Sequence, residues 1–592
     1  MRTTHLLLRV FLSGLFLLTL TAPGTAQVEQ KKDTKEEIER QQELTRKTLS
    51  LLDEVVAGAS GLKLAENRTF ILASAANLMW NHDEKRARNL FWEALNTLNL
   101  MNAPATGATS PGSDKAKLNN YFEIFGQRRE ILRVVAKRDP QLALDLLRAT
   151  RQTAPDPVNS TWRIPDERDL EQQIATAAAE RDPKRALQLA RESLAKGLSL
   201  ELINLLFQVN QKDAELGTKL AGDIIDKIRA GDIATDLNAP HVAVSLLEAS
   251  RPARADAQPA PASLIRRLNL EEDQRRGLVE SMANAALSVS ASPSLLFAIS
   301  EVLPEIEQFA PERVLLLKNK LAAFQKKLPQ REQRWQDHNT LLRSGTPEEI
   351  LRASTKLDDD DRAWLEREAI IRAVFLQKAD SLREFVDKEL SDDSHRKTIL
   401  DSLDSEEIDF VAHRGSPDNL RKLLPKIRLK EQRARAMAQI AILLEKKGEH
   451  EEALSLLDEA QRLIKTDLQS ESQSNALLGL VLAYAFVEPA RAFAIIEKTV
   501  DRANDDISKA LLVDKVIKTG FVKKGEIILN ASGSIPMEFA AFKYGKGVVA
   551  LAAADFTRTR AIAERFHRPE LRIMARLLIA QSLLGGESLG SK

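Results

Sequence analysis

Cysteine is absent from all 592 residues of this sequence. Disulfides, thiolate metal sites, cysteine nucleophiles and lipid attachment to cysteine are therefore excluded, and packing alone must hold the chain together. Aromatic residues are scarce as well, at 5% of the chain, with five tryptophans and three tyrosines. This scarcity counts against an enzyme that stacks aromatic rings on sugars.

The sequence also lacks an excess of charge of either sign, because 86 lysine and arginine residues are balanced by 85 aspartate and glutamate residues. A near-neutral chain offers no bulk electrostatic attraction to nucleic acid or to an anionic lipid surface. We therefore expect no nucleic-acid partner.

Motifs for catalysis, phosphate binding and metal binding are missing too. The eight histidines are scattered, and no two of them have the four-residue spacing with which one helix face holds a metal. The sequence contains no phosphate-binding loop and no G-x-S-x-G nucleophile elbow. We therefore predict no catalytic residue, no cofactor and no metal site.

The first residues have the pattern of a secretory signal. Arg2 and Arg9 are basic, Val10–Leu20 is apolar, and small residues precede a cleavage point before Gln27. The competing interpretation is an uncleaved anchor, but the apolar stretch is shorter than the ~20 residues of a spanning helix. The sequence thus predicts a signal peptide over residues 1–26, export to the periplasm or medium, and no integral membrane segment after cleavage.

A repeated phrase predicts the fold. Arg138-Asp139-Pro140 and Arg181-Asp182-Pro183 each precede a similar apolar pattern. Aspartate can cap a helix, proline is tolerated as the first helical residue, and a small residue shortly afterwards lets a neighbouring helix approach closely. The two copies lie 43 residues apart. Repetition at this distance is typical of stacked helical repeats, so we predict an all-α solenoid of antiparallel helix pairs.

Weaker copies of the phrase extend the pattern along the chain. The small or apolar residues that align with Ala143 and Ala186 are Ala87, Gly217, Ile350, Leu382, Leu420, Ala453, Ala492 and Ala561. Their irregular spacing indicates divergent repeats. We expect Ala143, Ala186 and Ala453 to occupy equivalent close contacts between paired helices, and we interpret the strand-like segment Glu526–Leu529 as part of a divergent repeat.

One stretch suggests a domain boundary. Residues Arg251–Ser263 are rich in proline and alanine and show no apolar periodicity, which suits a semi-rigid linker. We therefore expect two helical-repeat regions, residues 27–250 and 264–592, separated by a linker over residues 251–263.

Residues 434–466 resemble a tetratricopeptide repeat, a helix–turn–helix unit. The matching positions are Ile440, Ala441, Leu444, Gly448, Ala453, Leu457 and Ala460, whereas Lys465 replaces the usual closing proline and Met437 the usual tryptophan. A related solenoid of helix pairs would satisfy the same positions. The resemblance implies that a protein or peptide partner binds the surface formed by the stacked first helices, lined here by Arg435, Ile442, Glu445 and Lys446.

Two neighbouring segments carry opposite charge. Residues 401–409 are rich in acids and residues 421–435 in bases. If Lys426, Lys430 and Arg433 share one helix face, they could form a ridge that binds an anionic partner. If the two segments lie on adjacent helices, they instead satisfy each other's charges. We favour the second interpretation.

These observations lead to a main hypothesis for function and two alternatives. The main hypothesis is an exported helical-repeat scaffold that binds a protein or peptide and performs no catalysis. One alternative is an all-α enzyme that acts on polysaccharide as a lyase or hydrolase through carboxylates. The other is a structural component of an envelope assembly.

Overall fold

The computed structural model of the protein describes residues 35–99, 113–152, 166–236, 238–251, 267–288, 292–326, 341–342, 345–355, 357, 359–414, 416–464, 471–517, 522–529 and 547–585. Over these ranges the chain is almost entirely helical, and its consecutive helices pack in antiparallel pairs. The predicted all-α fold of helix pairs is therefore confirmed. The predicted signal peptide, residues 1–26, lies outside the described residues.

The helices of the amino-terminal half are, in chain order, α1 Lys35–Ala59, α2 Ala65–Met79, α3 Glu84–Asn99, α4 Ser113–Ala136, α5 Pro140–Ala149, α6 Glu167–Ala178, α7 Pro183–Leu194, α8 Glu201–Lys212, α9 Ala214–Ala230, α10 Ala239–Ala249, α11 Glu272–Leu287, α12 Pro293–Glu301, α13 Leu303–Phe309 and α14 Val314–Gln325. A short 3₁₀ helix, Pro311–Arg313, precedes α14.

The carboxy-terminal half continues with α15 Pro347–Ser354, α16 Asp359–Phe375, α17 Ala379–Glu389, α18 Asp393–His413, α19 Pro417–Leu423, α20 Lys430–Lys446, α21 His450–Leu463, α22 Glu471–Val487, α23 Pro489–Ile517, α24 Phe556–Glu564 and α25 Pro569–Leu584. A 3₁₀ helix, Leu424–Lys426, follows α19, and the strands β1 Val522–Lys523 and β2 Glu526–Ile527 follow α23.

The chain divides into two compact units, one formed by residues 1–94 and 334–592 and the other by residues 95–333. The predicted linker, residues 251–263, falls within the second unit, and only its first residue is described. Contacts join the helices on both sides of it. The backbone N–H of Leu268 donates to the carbonyl of Ala249 at 3.1 Å, and Arg251 pairs with the buried Glu305 at 3.1 Å. The compact units thus divide the chain elsewhere than at the predicted linker.

Aspartate caps begin the two helices of the repeated phrase. Asp139 accepts a hydrogen bond from the backbone N–H of Leu142 at 2.9 Å, and Asp182 accepts one from Arg185 at 2.9 Å. In both helices the first residue is proline, whose missing N–H would have no partner there. The capping role predicted from the sequence is confirmed.

Each pair of consecutive helices has a first and a second helix. The fourth residue of the second helix forms the close contact between the two. Residues at this position that are fully buried are Ala87, Ala143, Ala186, Ile350, Leu382, Leu420, Ala453 and Ala492. At Gly217 the neighbouring helix is closer still, because a Cβ atom there would lie 2.6 Å from the Cα atom of Asn210. The predicted equivalence of Ala143, Ala186 and Ala453 is confirmed.

The predicted contact position is wrong for one residue of the series, Ala561. Ala561 is exposed, and the fourth residue of α24 is Thr559, which is buried. The side chain of Asp555 caps this helix by accepting a hydrogen bond from the N–H of Arg558 at 2.9 Å. The cap therefore sets the start of the helix two residues earlier than the apolar pattern suggested.

Helices α20 and α21 form the pair that resembles a tetratricopeptide unit. Gly448 lies in the turn between them with φ of 82°, a left-handed conformation that favours glycine. Residues of this pair that are buried in one core cluster are Ile440, Ala441, Leu444, Ala453, Leu457 and Ala460. These are the apolar positions on which the resemblance depends.

The first and last described helices, α1 and α25, also pack along each other as a pair. Leu51 of α1 and Ile579 of α25 are buried in one cluster together with Ala563 of α24. The contact is close, since a Cβ atom at Gly58 would lie 3.0 Å from Cγ1 of Ile573. The first and last described helices therefore build one helix pair without a connecting turn.

Ion pairs to neighbouring helices agree with α1 being the second helix of the pair in which α25 is the first. Arg560 of α24 pairs with Glu54 of α1 at 2.9 Å, and Arg86 of α3 pairs with Asp53 of α1 at 2.6 Å. Helix α2 packs against both α1 and α25. Helix α1 thus lies between the second helices α24 and α3, where the second helix of a repeat belongs.

The segment Glu526–Leu529 is not part of a helical repeat, contrary to our interpretation of the sequence. Its first two residues form β2, which pairs antiparallel with β1 in a tight hairpin. Two residues per strand are too few to continue a sheet. The hairpin instead inserts polar groups between α2 and α25.

Buried Glu526 is the residue that fastens the hairpin to α2. Its carboxylate accepts hydrogen bonds from the backbone N–H of Lys63 at 2.6 Å and from Nδ2 of Asn67 at 2.7 Å. A carboxylate is favoured at this helix start because free N–H groups and the helix dipole attract negative charge. Glu570 of α25 accepts the N–H of Ile527 at 3.1 Å, so the hairpin contacts both ends of the chain.

We predict that Ala186→Leu destabilises the protein by ~1–3 kcal/mol, because the added atoms overpack the contact between α6 and α7. Urea unfolding followed by circular dichroism measures the change. Ala195→Leu is the matched control, since Ala195 is exposed just beyond the same helix. Equal stability of the two variants would contradict the close contact.

Candidate functional site

Two of the residues predicted to line a binding surface are buried in the structure. Ile442 is 8% exposed and lies in the core cluster of α20, and Arg435 is 9% exposed. Neither side chain is available to a partner on an open surface. The resemblance to a tetratricopeptide repeat suggested their positions on the first helix, but neighbouring first helices approach α20 closely enough to cover both.

Arg435 instead ties three first helices together. Its guanidinium pairs with Asp409 of α18 and donates to Oγ of Ser405 at 3.2 Å. On the other side, a Cβ atom at Gly479 of α22 would lie 3.4 Å from Cγ of Arg435, so glycine lets α22 pack against the arginine stem. Arg435 is therefore a packing residue.

Glu445 and Lys446 lie at the carboxyl end of α20. Glu445 is partly exposed, and its carboxylate lies 3.0 Å from Nδ1 of His450 across the turn to α21. Lys446 is exposed. Of the four residues that the resemblance placed on the binding surface, Lys446 and part of Glu445 reach solvent.

The basic residues Lys426, Lys430 and Arg433 do not form one stripe, contrary to what their spacing suggested. Helix α20 begins at Lys430, and Lys426 belongs to the preceding 3₁₀ helix, where it pairs with Asp380 at 2.7 Å. Arg433 turns back and donates to the carbonyl of Ile427 at 3.0 Å. Lys426 and Lys430 are both exposed, Lys430 at the first residue of α20, and Arg433 is partly buried.

The acidic and basic segments meet, as the packing interpretation predicted, through Arg435 and Asp409. A second contact joins the backbone N–H of Arg428 to the carboxylate of Asp404 at 3.2 Å. Asp404 also pairs with Arg383 of α17 at 2.7 Å. The charges of both segments are thus partly satisfied by each other and partly by further helices.

One carboxyl group beside this contact has an unusual environment. Burial raises the pKa of Glu406 to about 7, and repulsion from Asp409 contributes, against the opposing attraction of Arg367 and Arg435. Glu406 therefore changes charge near neutral pH, whereas an exposed glutamate is ionised there.

An open groove lies on the exposed face of the second helix α21. It has a volume of about 750 Å³ and is lined by Glu451, Leu454, Ser455, Asp458, Gln461 and Arg462. Carboxylates, a guanidinium, neutral polar groups and one leucine share this surface. We call these six residues the α21 groove.

A hydrogen-bonded network supports the floor of the α21 groove. The hydroxyl of Tyr484, whose ring is fully buried in α22, lies 2.8 Å from Oε1 of Gln461 and 3.2 Å from Oδ1 of Asp458. Arg491 of α23 pairs with Asp458 and lies 5.7 Å from the centre of the tyrosine ring. Burial raises the pKa of Tyr484, so its hydroxyl stays protonated and can donate.

The α21 groove was not predicted from the sequence, because the tetratricopeptide resemblance implies binding on the first helices. A signal was nevertheless present, since Glu451, Ser455, Asp458 and Arg462 recur at the spacing of one helix face. Tyr484 is one of the three tyrosines of the sequence, and its position gave no sign of a role at this surface. No comparable signal marked Asp458 as the partner of Arg491, which is 33 residues away.

The described part of the chain shows neither a metal site nor a membrane-spanning helix. No group of three or more histidine, aspartate or glutamate side chains there could hold a metal ion. No helix within the described ranges is long and apolar enough to cross a membrane.

Comparison with known proteins adds little to this description. No family model and no curated protein matches the sequence. One solved structure found by comparison is a circular tandem repeat protein with novel repeat topology and enhanced subunit contact surfaces. It is 12% identical, and the match covers 91% of this chain and 98% of that chain with a TM-score of 0.15. So low a score carries no argument, and the fold assignment rests on the helix pairs described above.

We predict that Arg435→Ala destabilises the protein by ~1–3 kcal/mol, because it removes the ion pair with Asp409 and the hydrogen bond that the buried Arg435 donates to Ser405. Thermal unfolding followed by circular dichroism measures the loss. Lys430→Ala is the control and should change stability by less than ~0.5 kcal/mol, because Lys430 is exposed. A larger effect of the Lys430 variant would contradict the packing role of Arg435.

Proposed function

We propose that the protein is an exported helical-repeat scaffold that binds a protein or peptide partner in the α21 groove and performs no catalysis. The observation that carries the proposal is the groove itself, a shallow and open surface of mixed charge on a well-packed helix pair. Stacked helix pairs commonly present such extended surfaces to partners. Export is part of the proposal and rests on the signal pattern of residues 1–26.

The side chains of the groove suit recognition of a peptide. Glu451 and Arg462 are exposed and of opposite charge, and Ser455 and Gln461 offer hydrogen-bonding groups between them. Leu454 adds an apolar contact. The network of Tyr484, Asp458 and Arg491 fixes the floor of the groove, and a fixed floor reduces the conformational entropy that a partner's binding costs.

The tetratricopeptide resemblance agrees with this proposal in a modified form. The family binds peptides on its first helices, whereas α20 here is largely covered by α18 and α22. The partner surface that we propose therefore lies on the second helix α21. The exposed Lys430 and Lys446 at the ends of α20 remain open for additional contacts.

The charges of the groove also suggest what a bound peptide should look like. Glu451 and Arg462 are eleven residues apart on α21, or about 16 Å at the rise of an α-helix. An extended peptide covers that distance with about five residues. We therefore expect a basic residue near Glu451 and an acidic residue about five positions away, near Arg462.

The experiment is a selection of peptides from a randomised phage-displayed library on the full-length protein. The test variant combines Glu451→Arg with Arg462→Glu, which keeps the net charge. We expect the selected peptides to bind this variant at least ~10-fold more weakly, because both charge contacts become repulsive. Fluorescence polarisation with the synthesised peptides measures the affinities.

The matched control exchanges charges on a different second helix. Glu384→Arg with Lys388→Glu alters two exposed residues of α17 and also keeps the net charge. This control should bind the peptides as the unmodified protein does. Failure to select any peptide, or equal binding to all three proteins, would overturn the proposal.

A further inference from the structure

The hairpin of β1 and β2 and the two helix starts beside it form a basic surface. Arg568, just before α25, donates to the carbonyl of Gly525 in the hairpin turn at 2.6 Å. The backbone N–H of Lys63, just before α2, donates to the carboxylate of Glu526 at 2.6 Å. Both helix starts therefore lie next to the hairpin. The cations of this surface, which we call the hairpin patch, are Lys63, Arg68, Lys523, Lys524, Arg568 and Arg572.

Four cations of the hairpin patch form no ion pair with the described residues. Arg68 and Arg572 reach back to the turns before their helices, where they donate to backbone carbonyls at 2.7 and 2.9 Å. The side chains of Lys63 and Lys524 are exposed and have no partner in the described part of the chain. These four side chains can therefore contact an anionic partner without breaking an existing ion pair.

The carboxylates that contact the hairpin patch are buried beneath it. Glu66, Glu526 and Glu570 are each at most 4% exposed. Lys523 pairs with Glu66 at 2.7 Å, and Arg568 pairs with Glu570. The six cations outnumber the three buried carboxylates, so the side of the patch that faces solvent is positive.

The hairpin also has an unpaired strand edge. Its two-residue turn fixes the pairing, so the backbone groups of Val522 and Ile527 point outward on opposite edges. On the edge of β2, the N–H of Ile527 donates to Glu570 at 3.1 Å, and its carbonyl accepts from Asn67 at 2.7 Å. On the edge of β1, the backbone groups of Val522 have no partner within the described ranges.

Positive charge beside an open strand edge fits an extended acidic peptide. Such a peptide can pair its own backbone with β1, and its side chains can reach the cations around the hairpin. A membrane surface or a nucleic-acid duplex has no peptide groups to offer to a strand edge. Four cations without ion pairs are also fewer than the ~6–10 phosphate contacts of a strongly salt-dependent DNA-binding protein.

We propose that the hairpin patch binds an extended acidic segment of a protein partner along β1. The backbone of that segment pairs with the free edge at Val522, and its carboxylates contact the cations that form no ion pair, Lys63 and Lys524 among them. The hairpin patch is separate from the α21 groove, so the inference does not depend on binding there.

Fluorescence polarisation with the full-length protein and the labelled peptide Glu-Thr-Glu-Thr-Glu-Thr tests the proposal at low ionic strength. Lys63→Gln combined with Lys524→Gln should weaken binding ~3–10-fold, because two charge contacts are lost. Lys184→Gln combined with Lys388→Gln is the matched control, since it removes two exposed lysines of α7 and α17 and changes the net charge equally. This control should bind the peptide as the unmodified protein does.

Two further comparisons test the strand pairing and the class of partner. The same peptide with every backbone nitrogen methylated keeps its charges but cannot donate to β1, so it should bind at least ~3-fold more weakly. Vesicles containing phosphatidylserine and a DNA duplex are the alternative ligands, and the peptide should bind more tightly than either.

Three results would overturn the proposal: no binding of the acidic peptide, equal binding to the test and control variants, or equal binding of the methylated peptide. Tighter binding of vesicles or DNA that the Lys63 and Lys524 variant loses would also overturn it, in favour of another polyanion. Glu451→Arg combined with Arg462→Glu should bind the acidic peptide normally, which separates this test from that of the α21 groove.

Discussion

The mutual burial of α25 and α1 is the constraint on which the repeat stack of the first compact unit depends. Helices in such a stack bury their apolar faces only against neighbours, so a terminal helix without a neighbour would expose that face. Here the last described helix, α25, meets the first described helix, α1, and Leu51 and Ile579 share one buried cluster. Because no turn joins the two helices, the contact is maintained by packing and by the hairpin that carries Glu526.

Contacts between neighbouring helices also occupy many of the charged residues. Ion pairs such as Arg560–Glu54 and Arg435–Asp409 join helices that are neighbours in the stack, so much of the charge serves packing. The groups available to the partner that we propose are the smaller set that packing leaves in solvent. The α21 groove is such a set, and its floor is itself a packing network built around Tyr484.

Much of the fold could be predicted from the sequence because it is encoded locally. Asp182 and Pro183 mark a helix start by themselves, and Ala186 shows which residue meets the neighbouring helix. The pairing of α1 with α25 could not be predicted, since it joins residues about five hundred positions apart without a shared motif. The burial of Arg435 could not be predicted for a related reason, because its accessibility depends on how closely α18 and α22 approach α20.

The central claim, that α1 and α25 form a helix pair, can be tested directly because the sequence contains no cysteine. Gly58→Cys combined with Ile573→Cys places two thiols where a Cβ atom at position 58 would lie 3.0 Å from the residue at 573, within reach of a disulfide. Mild oxidation of dilute protein should give a monomeric, reducible cross-link on non-reducing gels, absent from either single variant. Cross-linked dimers alone, or no cross-link, would contradict the account.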